Sequence, residues 1–274
     1  MSSSRVYHTE AIIIGRTNLG EADRILTLYT RDLGKIRAVA KGVRRPQSKL
    51  GGHVELLTHS RLMLARGRNL DIVTQAQTIT NFLPLKENLE RAASGLYVAE
   101  LVDAFTAERA EDPGLFDLLL DILNHLAHSP RMHIVLRYSE LQLLSQVGYR
   151  PELYRCGDCK ALLQPRTNFF SPSHGGVLCH SCGYHEPQAR PLSLNALKVL
   201  RFWQDCDFTV AEKIRLDAEL AAELEAVLQD YIRFLLERQL KSVTWLDRLK
   251  HLPNTVSPHS GQQVAGTSGD IGTG

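Results

Sequence analysis

Apolar and polar positions change their rhythm near residue 83. Before it, apolar residues fall in short runs with a period close to two. Residues 10–16 form an apolar run centred on Ile12, Ile13 and Ile14, and residues 24–30 are rich in β-forming side chains. Residues 35–41 alternate cleanly, with Ile36, Ala38 and Ala40 on one face and Arg37 and Val39 on the other. Such alternation belongs to a half-buried strand. Residues 54–65 and 70–80 read as two further strands on either side of the bend at 66–69. Five short strands in so small a unit predict a closed barrel, because closure removes exposed strand edges. Tyr29 alternates with apolar neighbours and is expected in the core.

From Pro84 the apolar spacing lengthens to three and four. Leu89, Ala92, Ala93, Leu96 and Ala99 mark one helix, Leu115, Leu119, Ile122 and Leu126 a second, and Ile134, Tyr138, Leu141 and Leu144 a third. Asp112-Pro-Gly and Ser129-Pro separate them, as helix-boundary chemistry requires. Ser193 is placed to cap a further helix through Phe202, and a last one is expected over residues 217–240. Cys206 falls in a helical stretch and is expected as a buried apolar side chain. After Lys250 the chain is rich in Ser, Gly, Thr and Pro, so residues 251–274 are expected to be disordered. The resulting division is a β unit at 1–82, a helical unit at 83–250 and a tail.

Composition adds little, with 43% hydrophobic and 23% charged residues. No run of eighteen apolar residues exists, so no membrane span is expected. Nor is there a signal-peptide pattern after Met1, so a cytoplasmic location with reduced cysteines is expected. Charge is more informative. The formal net charge is +2, yet residues 1–80 hold thirteen Lys/Arg against six Asp/Glu. That asymmetry predicts a polyanion partner for the N-terminal unit.

Four of the five cysteines form Cys156-Gly-Asp-Cys159 and Cys179-His-Ser-Cys182, which interrupt the helical pattern. Two such knuckles at this separation match a tetrahedral zinc site with four thiolate ligands. The segment concerned, about 153–185, would be a zinc finger, with residues 169–176 as a hairpin that returns the second knuckle. Four thiolates leave no open coordination position, so the expected zinc is structural and not catalytic. A redox dithiol and an iron–sulfur cluster are the rival readings, and His174, His180 and His185 lie near enough in sequence to replace a cysteine.

Between Arg31 and Lys49 stand seven basic residues, Arg31, Lys35, Arg37, Lys41, Arg44, Arg45 and Lys49, with Asp32 as the one acid among them. The loop Lys41-Gly-Val-Arg-Arg-Pro-Gln-Ser-Lys49 is densest. On a small barrel it makes a positive surface suited to a nucleic-acid backbone, with little sequence readout. Aromatic residues are sparse there, so base stacking has weak support. No phosphate-binding Gly-rich loop, His-Glu-x-x-His or nucleophile elbow is present. Glu21 and Asp23 read as turn or cap residues rather than as part of a nuclease cluster with Glu10. No enzymatic chemistry and no small-molecule substrate are expected. A zinc-bearing reader of duplex sequence is the binding alternative, and a metal-dependent nuclease the enzymatic one.

Gly20-Glu-Ala-Asp-Arg-Ile-Leu-Thr-Leu-Tyr-Thr, Gly34-Lys35, Ala40-Lys-Gly-Val-Arg-Arg-Pro-Gln-Ser-Lys-Leu and the knuckles after Gly148-Tyr-Arg-Pro-Glu-Leu together resemble the bacterial RecO family of DNA repair proteins. The resemblance spans about residues 8 to 250. It implies an OB-fold barrel followed by an all-helical domain with an inserted zinc finger. It also implies a recombination mediator that binds single- and double-stranded DNA and anneals complementary strands. With RecR, such a mediator helps load RecA onto DNA coated by single-strand-binding protein, whose acidic C-terminal tail it grips. The family's basic element falls on Lys41, Gly42, Arg44 and Arg45, with Lys35 in the hairpin and Arg24 beside Asp23. The DNA-binding set is therefore expected to be Arg24, Lys35, Arg37, Lys41, Arg44, Arg45 and Lys49. The metal ligands are expected to be Cys156, Cys159, Cys179 and Cys182.

Overall fold

A computed structural model describes residues 5–237 of the chain. Its first unit is a sheet of β1 (Val6–Leu19), β2 (Asp23–Thr30), β3 (Gly34–Ala40), β4 (His59–Ala65) and β5 (Asp71–Thr80). The strands run in the order β1-β2-β3-β5-β4 and close, because β4 also pairs with β1. All pairings are antiparallel except the short β3–β5 contact at Ala38–Asp71 and Val39–Ile72. Residues 10–16 read as one apolar run because β1 is buried on both faces. Ala11 and Ile13 point into the barrel with Leu26, Leu28, Ile36, Ala38, Ala40, Leu62 and Leu64, whereas Ile12, Ile14 and Tyr29 point outward into the helical core.

One expected strand is shorter than its apolar pattern. Residues 54–58 are not a strand: Leu57 has φ of 56° and turns its side chain into the helical core. That left-handed conformation is incompatible with a β ladder. β4 therefore starts at His59, after a 3-10 turn at Gly51–His53.

The helical unit contains α1 (Leu83–Lys86), α2 (Leu89–Phe105), α3 (Pro113–His128) and α4 (Met132–Gln146). A three-stranded antiparallel sheet follows, of β6 (Asn168–Ser171), β7 (Gly176–Leu178) and β8 (Arg190–Leu192), with α5 (His180–Tyr184) between β7 and β8 in the chain. Then come α6 (Leu194–Asp205), α7 (Phe208–Ala211) and α8 (Ala218–Leu236). Ser193 caps α6 as expected, and three other helices start on similar caps. Asn88, Asp112, Ser193 and Asp217 accept from the backbone N–H groups of Arg91, Leu115, Ala196 and Leu220. Cys206 departs from expectation, since it is the C-cap of α6 and only half buried against the core. The expected extension of the last helix to residue 240 and the expected disorder at 251–274 lie outside the described residues.

Barrel and helices share one core. Phe82, Leu85, Leu57 and Tyr29 join Tyr97, Val98, Leu101 and Phe116 in it. The loop between α2 and α3 lies on the start of β3, where the Arg109 N–H donates to the Lys35 carbonyl at 2.8 Å. Deeper inside, the Tyr97 hydroxyl donates to Glu140 Oε1 at 2.5 Å and Arg137 pairs with Glu140 at 2.8 Å, which compensates the charges that α4 buries. No helix among the described residues is long and apolar enough to cross a membrane.

Candidate metal centre and nucleic-acid face

The two knuckles meet because β6 and β7 form the hairpin that the sequence suggests. Val177 N–H donates to the Glu152 carbonyl at 2.8 Å, and Gly157 N–H donates to the Val177 carbonyl at 2.9 Å, so the first knuckle is laid along β7. Close approach dictates two glycines. A Cβ on Gly176 would sit 2.3 Å from the Glu152 carbonyl oxygen, and one on Gly183 would sit 2.5 Å from the Phe169 side chain. Lys160 takes φ of 62° immediately after Cys159, which folds the first knuckle back on itself.

The Sγ atoms of Cys156, Cys159, Cys179 and Cys182 all lie within 4.8 Å of one another. Cys159 Sγ and Cys179 Sγ are 3.9 Å apart. Four thiolates about 2.3 Å from a central ion would stand roughly 3.8 Å apart along a tetrahedral edge. The donor set therefore fits one soft, four-coordinate ion. Burial alone would raise the Cys156 thiol; the N–H groups of Cys179, Asp158 and Cys159 outweigh it and bring the group down to about 7. None of the three nearby histidines joins the cluster. His174 Nδ1 bonds Ser171 and Ser173 Oγ, and the rings of His180 and His185 lie against Phe169 and Tyr184.

The seven expected DNA-binding residues separate into two groups. Arg37, Lys41, Arg44, Arg45 and Lys49 are all exposed, on the outer face of β3 and the loop after it. None of these five makes an ion pair among the described residues. Their loop is held in shape from below: Gly42 N–H donates to Asp23 Oδ1 at 2.7 Å, Arg44 N–H to the Ala22 carbonyl at 2.9 Å, and Arg44 Nη1 to the Gly20 carbonyl at 3.1 Å. Asp23 thus has the turn-bracing role expected of it. Glu10 pairs instead with Arg61 and His59, and among the described residues no metal-binding group includes it.

Lys35 and Arg24 fall outside the exposed group. Lys35 is only 9% exposed, and its ammonium binds Asp103 Oδ1 at 2.9 Å and the Asp103 carbonyl, tying β3 to α2. Arg24 pairs with Glu55 at 3.0 Å, and Glu55 also takes Arg16. The outward side of β3 is solvent at Arg37 but helical domain at Lys35. Asp103 lies 68 residues along the chain and Glu55 31 from Arg24, so no local sequence signal announces either partner.

Fold and sites define a class: a closed β-barrel joined to a helical domain that carries a four-cysteine centre, with a cationic strand and loop on the barrel. Comparison with known proteins gives the same division. The model described as Recombination protein O N terminal matches residues 1–82, and that described as Recombination protein O C terminal matches residues 86–244. A DNA repair protein RecO from Roseiflexus sp. (strain RS-1) is 45% identical over 256 residues, covering 93% of this chain and 90% of the relative. The DNA repair protein RecO of Dehalococcoides mccartyi (strain CBDB1) is 41% identical over 250 residues, covering 91% and 98%. The chain belongs to the RecO family of DNA repair proteins.

Proposed function

We propose that this chain is a non-enzymatic recombination mediator that binds DNA by its phosphates and anneals complementary strands. The observation that carries the reading is the group of five exposed cations on β3 and its loop, braced from below and without acidic partners of their own. Two DNA strands repel each other until their phosphates are neutralised, and a cationic surface with no base-reading element does this for any sequence. The strand order β1-β2-β3-β5-β4 supports the OB-fold, an architecture that binds oligonucleotides. In this reading both single- and double-stranded DNA bind the same face, and no chemistry is performed on either.

The metal is zinc, held by Cys156, Cys159, Cys179 and Cys182. When bound it supplies folding energy to a segment whose own core is small. The chain's residues do the rest: they fix the connector after α4 against β7 and α6. RecR, RecA loading and the tail of single-strand-binding protein enter the proposal through family membership, as do a cytoplasmic, nucleoid-associated location and a role away from membranes. The test is annealing of complementary oligonucleotides without ATP. Wild-type protein accelerates it, and Arg44→Glu with Arg45→Glu nearly abolishes the acceleration. Unchanged annealing by that double variant, folded as wild type, would remove the barrel loop from the account.

A further inference from the structure

The barrel face has cations but no exposed aromatic ring among them, so it offers phosphates a partner and bases none. Exposed rings beside cations occur elsewhere, on the connector between α4 and the first knuckle. Tyr149 and Tyr154 are each 45% exposed. This connector is held at both ends and in the middle. Tyr149 N–H donates to the Leu144 carbonyl at 2.7 Å, and the Tyr231 hydroxyl to the Tyr149 carbonyl at 3.1 Å. Gln204 Nε2 donates to the Pro151 carbonyl and Arg201 Nε to the Leu153 carbonyl, each at 2.8 Å. Pro151 and Leu153 are buried, while the tyrosines on either side of them are exposed.

Cations stand beside the Tyr154 ring, together with the acids Glu152 and Asp205. The Arg201 guanidinium lies 4.7 Å from the centre of the Tyr154 ring. Arg150 and the Tyr154 hydroxyl are both fixed by Asp205, at 2.7 and 3.0 Å. Asp205 offsets Arg150, but exposed Lys198 lies one helical turn before Arg201, and exposed Arg155 follows Tyr154. Phe202, the residue after Arg201 on α6, is also an exposed ring. Tyr149 itself rests on Phe105, with ring centres 5.8 Å apart, at the end of the helix whose following loop binds β3 at Lys35. One short loop thus links the connector to the strand that carries Arg37.

Flat rings held rigid, one already stacked on a guanidinium, with lysine and arginine at their margins, are what unpaired bases need. Every base has a face to stack, and the adjacent cations meet its phosphate. Duplex DNA, with its bases already stacked, gains nothing from the rings. We infer that Tyr149 and Tyr154, with Arg201 and Lys198, form a second nucleic-acid surface that holds single-stranded DNA by base stacking. The inference rests on the proposed DNA binding of the barrel and assigns the helical domain a separate share of it.

The test uses the full-length, zinc-loaded protein, with fluorescence anisotropy on a single-stranded oligonucleotide and on a blunt duplex of the same length. Tyr149→Ala with Tyr154→Ala is expected to weaken single-strand binding about tenfold and leave duplex binding within twofold of wild type. Tyr154→Phe in an otherwise wild-type chain keeps the ring and is expected to bind single strands as wild type. Arg44→Glu with Arg45→Glu weakens both ligands. Equal single-strand affinity in wild type and the double alanine variant overturns the second surface while leaving the barrel reading intact. An equal loss on single strand and duplex also overturns it, because stacking on unpaired bases would not then be the cause. Absence of DNA binding by wild type would remove the barrel reading itself. Thermal melting of each variant separates these outcomes from misfolding.

Discussion

Three glycines with positive φ allow the junction between barrel and helices to be weighed against simple backbone strain. Gly34, at the β2–β3 turn, has φ of 62°, and a Cβ there would lie 1.8 Å from the Ala110 carbonyl oxygen and 2.5 Å from its carbon. Gly20 has φ of 57° with nothing within 4 Å, and Gly42 has φ of 62° with only the Arg45 side chain at 3.7 Å or more. Alanine at any of them pays the left-handed penalty of about 1–2 kcal/mol. At Gly34 alone the methyl group must also displace the loop between α2 and α3. That endangers the Arg109 N–H bond to Lys35, about 1 kcal/mol, and the Lys35–Asp103 pair, about 1.5–3 kcal/mol as a hydrogen bond between charged groups. Gly34→Ala is therefore expected to cost roughly 3.5–6 kcal/mol, and Gly20→Ala and Gly42→Ala only about 1–2. In a thermal melt a chain of this size loses about 2–4 °C per kcal/mol, so the Gly34 variant should melt at least about 5 °C below the other two. Three equal melting temperatures would show that the loop yields freely and that the junction is not the rigid contact described.

Two more outcomes follow from the same geometry. Chelating the metal, or Cys156→Ser, is expected to release one zinc per chain and lower the melting temperature far more than it lowers affinity for a short duplex. A variant of normal stability with lost duplex binding would move the centre from bracing to DNA contact. Burial holds His59 below its ordinary value of 6.5, against the opposing pull of Glu10, with Arg31 and Arg61 adding to the depression. The unfolded chain then binds the proton first, so this contribution is complete above about pH 7.5 and declines as pH falls through 6.5. His59→Gln should flatten part of the fall in melting temperature between pH 7.5 and 5.5. Parallel curves for variant and wild type would refute it.

Much of this molecule is legible locally. The period of two on β3 placed Ile36, Ala38 and Ala40 inside and Arg37 outside, and Ser193 caps α6 as its side chain suggests. The cysteine spacing was enough to bring four sulfur atoms together, since a hairpin at 169–176 was the simplest return path. What the sequence hides is long-range. Lys35 looks like any other cation in a basic run until α2 brings Asp103 beneath it. Leu57 reads as a strand residue until the helical core draws its side chain outward and reverses its φ. Tyr149 and Tyr154 sit in an aperiodic connector, and only packing against α6 and α8 shows that they are held outward. The barrel itself was foreseeable from edge burial, but the double-sided use of β1 was not, because a continuous apolar run does not say what covers its second face.

The central claim is that exposed cations on β3 and its loop bind DNA phosphates. The slope of log affinity against log salt for a single-stranded oligonucleotide tests it most directly, since each neutralised phosphate contributes about −0.7. Removing two contacts with Arg44→Glu and Arg45→Glu is expected to make the slope shallower by at least about 1.4 and to weaken binding most at low salt. The same slope and the same affinity in wild type and variant would contradict the account.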